Sequence, residues 1–204
     1  LNQKILILFN FHYKINNNQR KIMQNIKIIK SILLIISLIL ITSCSGNQAM
    51  KPQDFKDKVP RLIIEEYLTG NVKAWGVLQN RSGKVTRQFS ADLNGAWDGK
   101  QLILKEKFNW DDGEVQNREW TINKIDENNY EGTAGDVVGK AKGYSYGPAF
   151  KFEYVLLVPV KGKEMKITFD DWIFKQDDRV AINRATMTKF GFKVAELTVV
   201  FVKD

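Results

Sequence analysis

From Val72 onward, apolar and polar residues alternate in runs that are separated by short turns rich in Gly, Asp and Asn. Alternation with a period of two residues is typical of strands that bury one face. The pattern predicts ten strands, at 72–80, 84–97, 100–110, 114–125, 129–134, 137–146, 149–160, 163–175, 179–189 and 193–203. Strands joined by such short turns predict an all-β fold, an antiparallel up-and-down meander of about 8–10 strands that closes into a barrel and removes its exposed edges.

The turns predict which residues face each other across the hairpins. Asp98-Gly99 is a dipeptide that favours a two-residue hairpin loop, and a loop of that length pairs Leu93 with Leu104. This register collects apolar residues on one face of both strands. The exception on that face is Glu106, which we therefore expect to point into the barrel.

The next turn lies in the stretch FNWDDGEVQNREW, residues 108–120. A two-residue loop at Asp112-Gly113 would mix the apolar and polar faces. A three-residue loop that also includes Asp111, with Gly113 left-handed, keeps the faces separate. That loop pairs Glu106 with Arg118, so the inward acid meets an opposite charge.

The C-terminal half repeats this arrangement. A two-residue turn at Lys161-Gly162, after strand 149–160, pairs Phe152 with Asp171 and so places Asp171 on the apolar face. A two-residue turn at Asp177-Asp178 then pairs Asp171 with Arg184. Five glycines between residues 132 and 147 predict bends or bulges, and the pattern gives no register there.

The segment before the strands has a different pattern. Residues 31–43, SILLIISLILITS, form an apolar run that is too short for a membrane span and typical of a signal peptide, and it follows Lys27 and Lys30. It leads into Ile-Thr-Ser-Cys at residues 41–44, which resembles the bacterial lipobox, whose cysteine receives a diacylglycerol. We predict lipidation at Cys44; the alternative is an ordinary signal peptide or short anchor with a chance cysteine.

These signals predict four segments along the chain. They are an upstream extension that is not native (1–22), a lipoprotein signal peptide that starts at Met23 (23–43), the lipidated Cys with a tether (44–58) and the barrel domain (59–204). A longer n-region is the alternative for residues 1–22. Within 60–70, a Pro at the start and a Gly at the end predict a short helix before the strands.

Charge and composition exclude several functions. The net charge of +8 resembles a nucleic-acid signal, but residues 1–44 contain six basic and no acidic residues, which leaves 25 basic against 23 acidic residues in the rest. We therefore expect no nucleic-acid partner. The one histidine, His12, precedes Met23, and the one cysteine is Cys44. The mature domain thus lacks Ser-His-Asp catalysis, Cys-His catalysis and His or Cys zinc ligands, and we expect no metal and no cofactor.

Four blocks resemble a bacterial putative-lipoprotein family that is catalogued as domain of unknown function 3833. The blocks are AWGVLQNRSGKVTRQF, FNWDDGEVQNREW, GTAGDVVGKAKG and FDDWIFKQDDRVAINRATMTKFGF. The resemblance covers roughly Phe55 to Lys203 and implies an envelope lipoprotein of Gram-negative bacteria, without a known activity or catalytic residues. Ser45 after the cysteine resembles the outer-membrane sorting signal, which implies an anchor on the periplasmic face of the outer membrane. By architecture we expect a calycin-like (lipocalin-like) barrel.

Asp111, Asp112 and Glu114 form the first candidate site. The functional hypothesis is a calcium or catalytic carboxylate site. The spacing does not match an EF-hand loop, and adjacency in sequence does not place two carboxyls across a cleft. We favour turn chemistry, because Asp begins turns and Gly supplies a positive φ.

The second candidate is a polar centre inside the barrel, made of Glu106, Arg118, Asp171 and Arg184. Such a centre could orient the head group of a ligand, since Arg binds carboxylates and phosphates with two parallel bonds. The alternative is a structural network of ion pairs that fixes the register.

The third candidate is an apolar pocket wall. It consists of Phe89, Leu104, Phe108, Trp110, Trp120, Phe152, Tyr154 and Phe169. Core packing is the alternative for these residues. A further aromatic stretch, TMTKFGFK at 186–193, predicts a hairpin turn, with a barrel mouth or membrane contact as its functional alternative.

Three functions remain open on these grounds. The leading hypothesis is an envelope lipoprotein whose barrel binds an apolar or amphiphilic, lipid-like small ligand, without catalysis. The second is a carboxylate-based enzyme that acts on lipid or glycan, which requires two acids in one cleft with a raised pKa. The third is a structural or interaction lipoprotein with a filled barrel, whose protein partner the sequence does not identify. The membrane, reached through the lipid anchor, is the partner that the leader predicts.

Overall fold

The computed structural model describes Met23, Ile26, Ile29, Lys30 and residues 49–160 and 162–204. The chain divides into two units, Leu1–Ala49 and Met50–Asp204. In the first unit, the described residues Met23, Ile26, Ile29 and Lys30 are helical, and Ala49 is not. The predicted apolar run 31–43 and Cys44 lie outside the described residues. Where the structure describes the chain, no helix is long and apolar enough to cross a membrane.

The second unit is a closed barrel of ten antiparallel strands in sequence order. The strands are β1 (Gly70–Asn80), β2 (Val85–Trp97), β3 (Gln101–Trp110), β4 (Val115–Lys124), β5 (Asn129–Thr133), β6 (Ala141–Tyr146), β7 (Ala149–Val160), β8 (Lys163–Lys175), β9 (Val180–Lys189) and β10 (Phe192–Lys203). The last strand pairs with the first, with Val72 opposite Lys203, so the barrel has no free edge. The predicted all-β meander and its closure are confirmed. Strand β6 begins at Ala141 rather than at 137, because residues 134–140 form a loop.

Two Asp side chains lengthen turns beyond the predicted two residues. Asp98 accepts hydrogen bonds from the backbone N–H groups of Lys100 and Gln101, and Leu93 then lies opposite Glu106 instead of Leu104. A shift of two residues keeps every side chain on its predicted face, so the interior face was predicted correctly.

The turn between β8 and β9 has a larger effect. Asp177 accepts hydrogen bonds from the N–H groups of Arg179 and Val180, which lengthens the loop by one residue. Asp171 is therefore opposite Ala185, and the predicted pairing of Asp171 with Arg184 is wrong. A slip of one residue reverses the two faces of a strand.

The register of the β3–β4 hairpin is confirmed. Glu106 is opposite Arg118, and Gly113 has a φ of 86° in a loop of three residues. The β7–β8 hairpin also follows the predicted register, with Phe152 opposite Asp171. Glu106, Arg118 and Asp171 consequently all lie on strand faces that point into the barrel.

A four-residue helix, α1 (Ile64–Tyr67), closes one end of the barrel, which we call the α1 end. The Leu62 carbonyl accepts a hydrogen bond from Ser145, and the Tyr67 hydroxyl donates to the carbonyl of Arg179. The α1 segment packs closely on β2, because a Cβ at Gly95 would stand 2.0 Å from the Leu68 carbonyl oxygen. The predicted short helix is confirmed, although it is shorter than the segment 60–70.

Buried Glu65 attaches α1 to the sheet. Its carboxylate accepts hydrogen bonds from the Lys124 ammonium and, at 2.9 Å, from the Tyr130 hydroxyl. Burial raises the pKa of Glu65, but these bonds outweigh it and leave the pKa below its usual 4.5. Helix α1 is thus held by a charged group as well as by apolar packing.

The outer end of the barrel, opposite α1, is formed by the β1–β2, β3–β4, β7–β8 and β9–β10 hairpins and by the 134–140 loop between β5 and β6. The β9–β10 turn has Phe190 at a φ of 51°, followed by Gly191. Phe190 and Phe192 are 89% and 73% exposed, so the stretch TMTKFGFK is a hairpin with two solvent-facing aromatic rings at this end.

Candidate functional site

An inner cavity of about 100 Å³ lies inside the barrel next to α1. Ile64 and Leu68 from the α1 segment form part of its wall, and the strands supply mostly apolar side chains. Five polar or ionisable side chains interrupt this surface: Glu106, Arg118, Tyr154, Asp171 and Asn183. The space exceeds what a single water needs, since a water requires only about 10–15 Å³ on this measure.

An outer cavity of about 210 Å³ lies nearer the outer end. It is lined by residues next to the hairpin loops, including Leu78, Glu114 and Pro159. The two cavities share five wall residues, which are Phe89, Phe108, Arg118, Tyr154 and Leu197. A continuous wall therefore runs from the outer end to the α1 end, and Arg118 and Tyr154 stand at the junction.

Every predicted wall residue lines at least one of the two cavities. The inner cavity is lined by Phe89, Leu104, Phe108, Trp120, Phe152 and Tyr154, and the outer cavity by Phe89, Phe108, Trp110, Tyr154 and Phe169. The rings pack against one another, as in the Trp120–Tyr154 pair with centroids 5.2 Å apart. These side chains serve both as core and as cavity surface.

Glu106 brings a buried acid to the inner cavity. Its Oε2 atom lies 3.9 Å from the Arg118 guanidinium, beyond hydrogen-bond distance, and has no hydrogen-bond partner among the described residues. Burial raises the pKa of Glu106 to about 7, Arg118 offsets part of that effect, and the nearby Asp171 adds to it. Near neutral pH this carboxyl is therefore poised between its acid and its carboxylate forms.

Arg118 is held mainly by Asp136, a residue that the sequence analysis missed. The Nε atom donates to both Asp136 oxygens at 3.2 and 3.1 Å, and Nη2 donates to Oδ2 at 2.8 Å. Asp136 lies in the 134–140 loop, which is attached to β7 through the bond from Leu157 N–H to the Asp136 carbonyl. Because Asp136 lies in a loop and not on a strand paired with β4, no hairpin register in the sequence predicts this contact.

Asp171 forms the second buried acid. Its Oδ2 atom accepts a hydrogen bond of 2.9 Å from the Tyr154 hydroxyl, and its Oδ1 atom accepts one from the Asn183 amide. Burial raises the pKa of Asp171 to about 6, although both hydrogen bonds favour the charged form. Burial also raises the pKa of Tyr154 well above 10, so this hydroxyl stays protonated and available as a donor.

Arg184, which was predicted in the polar centre, lies on the outer face of the barrel. Its side chain is 67% exposed and pairs with Glu196 at 2.8 Å. Asn183 occupies the inward position instead and is 3% exposed. Ala181, Asn183 and Ala185 alternate along one face of β9, and their small or uncharged side chains favour that face as the inward one. The predicted two-residue turn at Asp177-Asp178 assigned them to the outer face instead.

The acidic residues at the β3–β4 turn belong to a hairpin, and two of them form ion pairs with Arg87. Arg87 donates 2.8 Å hydrogen bonds to Asp112 and to Glu114, and its guanidinium lies 4.0 Å from the Trp110 ring centroid. Within residues 49–160 and 162–204, no three His, Cys, Asp or Glu side chains are grouped as metal ligands. The turn interpretation of Asp111, Asp112 and Glu114 agrees with this geometry.

Two solved structures share this architecture. One is a protein of unknown function from the DUF3598 family of Nostoc punctiforme, with a TM-score of 0.54 and 14% identity, covering 72% of this chain and 51% of that chain. This chain therefore spans about half the length of the Nostoc protein. The other is an S-type phycobiliprotein lyase from Guillardia theta, with a TM-score of 0.52 and 10% identity, covering 76% of this chain and 98% of that one.

At these identities the similarity concerns the fold alone, and it identifies the barrel as calycin-like, of the lipocalin type. A comparison with curated proteins gives no match. Residues 38–203 match the family described as "Protein of unknown function (DUF3833)", and the chain belongs to that family.

Proposed function

We propose that this protein is a lipid-anchored envelope protein whose barrel binds one apolar or amphiphilic small molecule. The observation that carries the proposal is the pair of adjoining cavities with aromatic walls and a buried polar centre. Their volumes of about 100 and 210 Å³ together reach the lower end of the ~300–1,000 Å³ that is common for ligand pockets. A filled barrel without a ligand is disfavoured by this space.

The anchor rests on the sequence. Cys44 ends an apolar run of signal-peptide length, and a diacylglycerol on its thiol, with further acylation, would hold the chain at a bilayer. Ser45 favours the periplasmic face of the outer membrane. An apolar ligand for such a protein is available in the adjacent bilayer, which makes a lipid-like molecule the favoured class.

Equilibrium binding of decanol tests the pocket. Full-length protein in phosphatidylcholine nanodiscs is titrated by calorimetry, with empty nanodiscs as the blank, and saturable binding of one molecule per chain is expected. The variant Leu197→Trp narrows the junction of the two cavities and should weaken binding about tenfold or more. Val200→Trp on the outer face of the same strand is the matched control. Absence of saturable binding to the wild type rejects the proposal.

A carboxylate enzyme is the second candidate, because Glu106 and Asp171 line one cavity and both have raised pKa values. A buried acid near neutrality is suited to proton transfer. Hydrolysis of p-nitrophenyl decanoate is the test, with Glu106→Gln and Asp171→Asn as variants. If both variants hydrolyse the ester as fast as the wild type does, this candidate is rejected.

A further inference from the structure

We propose that the ligand carries a primary ammonium group on an aliphatic chain, and that this group is bound by Glu106 and Asp171 in the inner cavity. The proposal rests on the ligand-binding function above and specifies the head group that the same cavity selects. In this arrangement the apolar wall contacts the aliphatic part of the ligand, and the two buried carboxyl groups bind its ammonium group.

The charges around the cavity favour a cation. Among the described residues, three carboxyl groups lie near the Arg118 guanidinium: those of Glu106 and Asp171 on the inner cavity and that of Asp136 on the outer cavity. With all four groups ionised, this region has an excess of negative charge. A ligand that adds one positive charge reduces the imbalance, and a ligand that adds a negative charge increases it.

Arg118 is poorly placed to bind an anionic head group. Its Nε and Nη2 atoms are bonded to Asp136, and its Nη1 atom faces Glu106 at 3.9 Å. A fatty acid carboxylate or a phosphate that took the bonds from Nε and Nη2 would have to displace Asp136, which would leave that acid without its partner. An anion that bound Nη1 alone would lie beside the Glu106 carboxylate. Since loss of one partner of a buried pair is costly, the geometry opposes anions.

Glu106 supplies the unoccupied acceptor. Its Oε2 atom is shielded from solvent, lacks a hydrogen-bond partner among the described residues, and belongs to a side chain that lines the inner cavity. An ammonium group has three donors, enough to reach this oxygen and a second acceptor. Asp171, on the wall of the same cavity, is the second acceptor that the structure offers.

The proposal predicts that affinity rises with pH. The groups that face Glu106 are Arg118 on β4, Asp136 in the 134–140 loop, Tyr154 on β7 and Asp171 on β8. Of these, Asp171 titrates in the same range as Glu106, while Arg118 and Tyr154 keep their protons at neutral pH. An alkylammonium also stays charged below about pH 9, so the pH dependence arises from the two acids.

The experiment compares three ligands with the same ten-carbon chain: decylammonium, decanol and decanoate. Binding to full-length protein in phosphatidylcholine nanodiscs is measured at about pH 5 and at about pH 8, on either side of the two pKa values. Decylammonium is expected to bind most tightly at about pH 8, with an affinity at least about tenfold above its own value at about pH 5. Decanol should show little pH dependence, and decanoate should bind most weakly at about pH 8.

Substitutions that remove a charge but keep the size of the side chain test whether the charge of the two acids is what binds the ammonium group. Glu106→Gln keeps the size of the side chain and should remove about tenfold or more of the decylammonium affinity at about pH 8, a larger factor than its effect on decanol. Asp171→Asn should act in the same direction. Glu119→Gln is the matched control, because Glu119 is exposed on the outer face of β4 and pairs with Lys105 at 3.9 Å.

Any other result contradicts either the ammonium proposal or the proposed binding function. Equal affinity for decylammonium and decanol, or tighter binding of decanoate, overturns the ammonium proposal and leaves the binding function intact. Unchanged decylammonium binding in Glu106→Gln also overturns it. If none of the three ligands binds to the wild type, the proposed binding function itself is wrong.

Discussion

Glu106 illustrates how a single residue can be unfavourable for stability and useful for binding. Its Oε2 atom has no hydrogen-bond partner in the described part of the chain, and burial raises the pKa of Glu106 to about 7. Between about pH 4.5 and about pH 7 the folded state therefore keeps a proton that the unfolded chain has released. The pairing of Glu106 with Arg118 was predicted from the sequence, because both residues lie on one hairpin whose loop length follows from local turn chemistry. Asp136, the stronger partner of Arg118, comes from a loop whose position depends on the whole barrel.

The substitution Glu106→Gln should stabilise the protein at alkaline pH. A folded pKa above the unfolded value means that stability falls as the pH rises from about 4.5 to about 7. We expect the variant to gain about 2–3 kcal/mol in free energy of unfolding relative to wild type at pH 8, and little at pH 4. Urea denaturation at both pH values measures the difference. A variant that is less stable than the wild type at pH 8 would show that Glu106 makes a favourable ion pair with Arg118.

At the scale of the elements, the turns decide which residues face inward. The three-residue loop at Gly113 was predicted from the need to keep apolar residues together, and the structure has it. The loop at Asp177 is one residue longer than predicted because its carboxylate binds two backbone N–H groups. Because of that extra loop residue, Asn183 faces the interior where Arg184 was predicted to do so. The strands were predictable from alternation, whereas their register depended on hydrogen bonds within the turns.

Gly132 on β5 leaves room for an aromatic ring. A Cβ at this position would lie 2.5 Å from the Cζ atom of Phe152, which packs against Trp120 inside the barrel. Gly132→Ala should therefore lower the free energy of unfolding by about 1–3 kcal/mol. Gly135→Ala is the control, because a Cβ there meets no atom of the described residues within 4 Å. Thermal and urea unfolding of both variants measure the effect, and equal stability would contradict the tight packing of this ring.

Helix α1 should depend on the charge of Glu65. A pKa below the usual 4.5 means that Glu65 stabilises the fold above that pH, and that the contribution is lost as the pH falls through the folded value. Glu65→Gln should cost about 1–2 kcal/mol at pH 7 and less at pH 3. Hydrogen exchange of α1 and urea unfolding are the measurements. The control Glu66→Gln changes an exposed neighbour, and a loss of the same size there would contradict the role of Glu65.

At the scale of the whole molecule, closure of the barrel creates the site. Glu106, Tyr154 and Asp171 come from β3, β7 and β8, and they meet around one cavity because β10 pairs with β1. Closure was predictable, since a long meander with free edges would invite aggregation. The cavity was not predictable from the sequence. Its volume is the space that is left after many side chains have packed, and that space depends on atomic positions.

The proposed anchor makes the location of the whole protein testable. Cys44→Ser should abolish labelling with a radioactive fatty acid and block lipoprotein-type processing of the signal peptide, because the acylated thiol is lost. Metabolic labelling and fractionation of the cell envelope check this. Ser45→Ala is the control, since it keeps the thiol. Undiminished acylation of Cys44→Ser would show that the anchor lies elsewhere.

The most direct test of the central claim is to identify what the barrel contains when it leaves the cell. The protein is extracted gently from the envelope, and native mass spectrometry followed by chemical identification determines any bound molecule, with Leu197→Trp and Val200→Trp prepared in parallel. We predict one amphiphile per chain in the wild type and in Val200→Trp, and a depleted Leu197→Trp. Wild-type protein that emerges with no bound molecule, or with the same molecules as Leu197→Trp, would contradict a ligand-binding barrel.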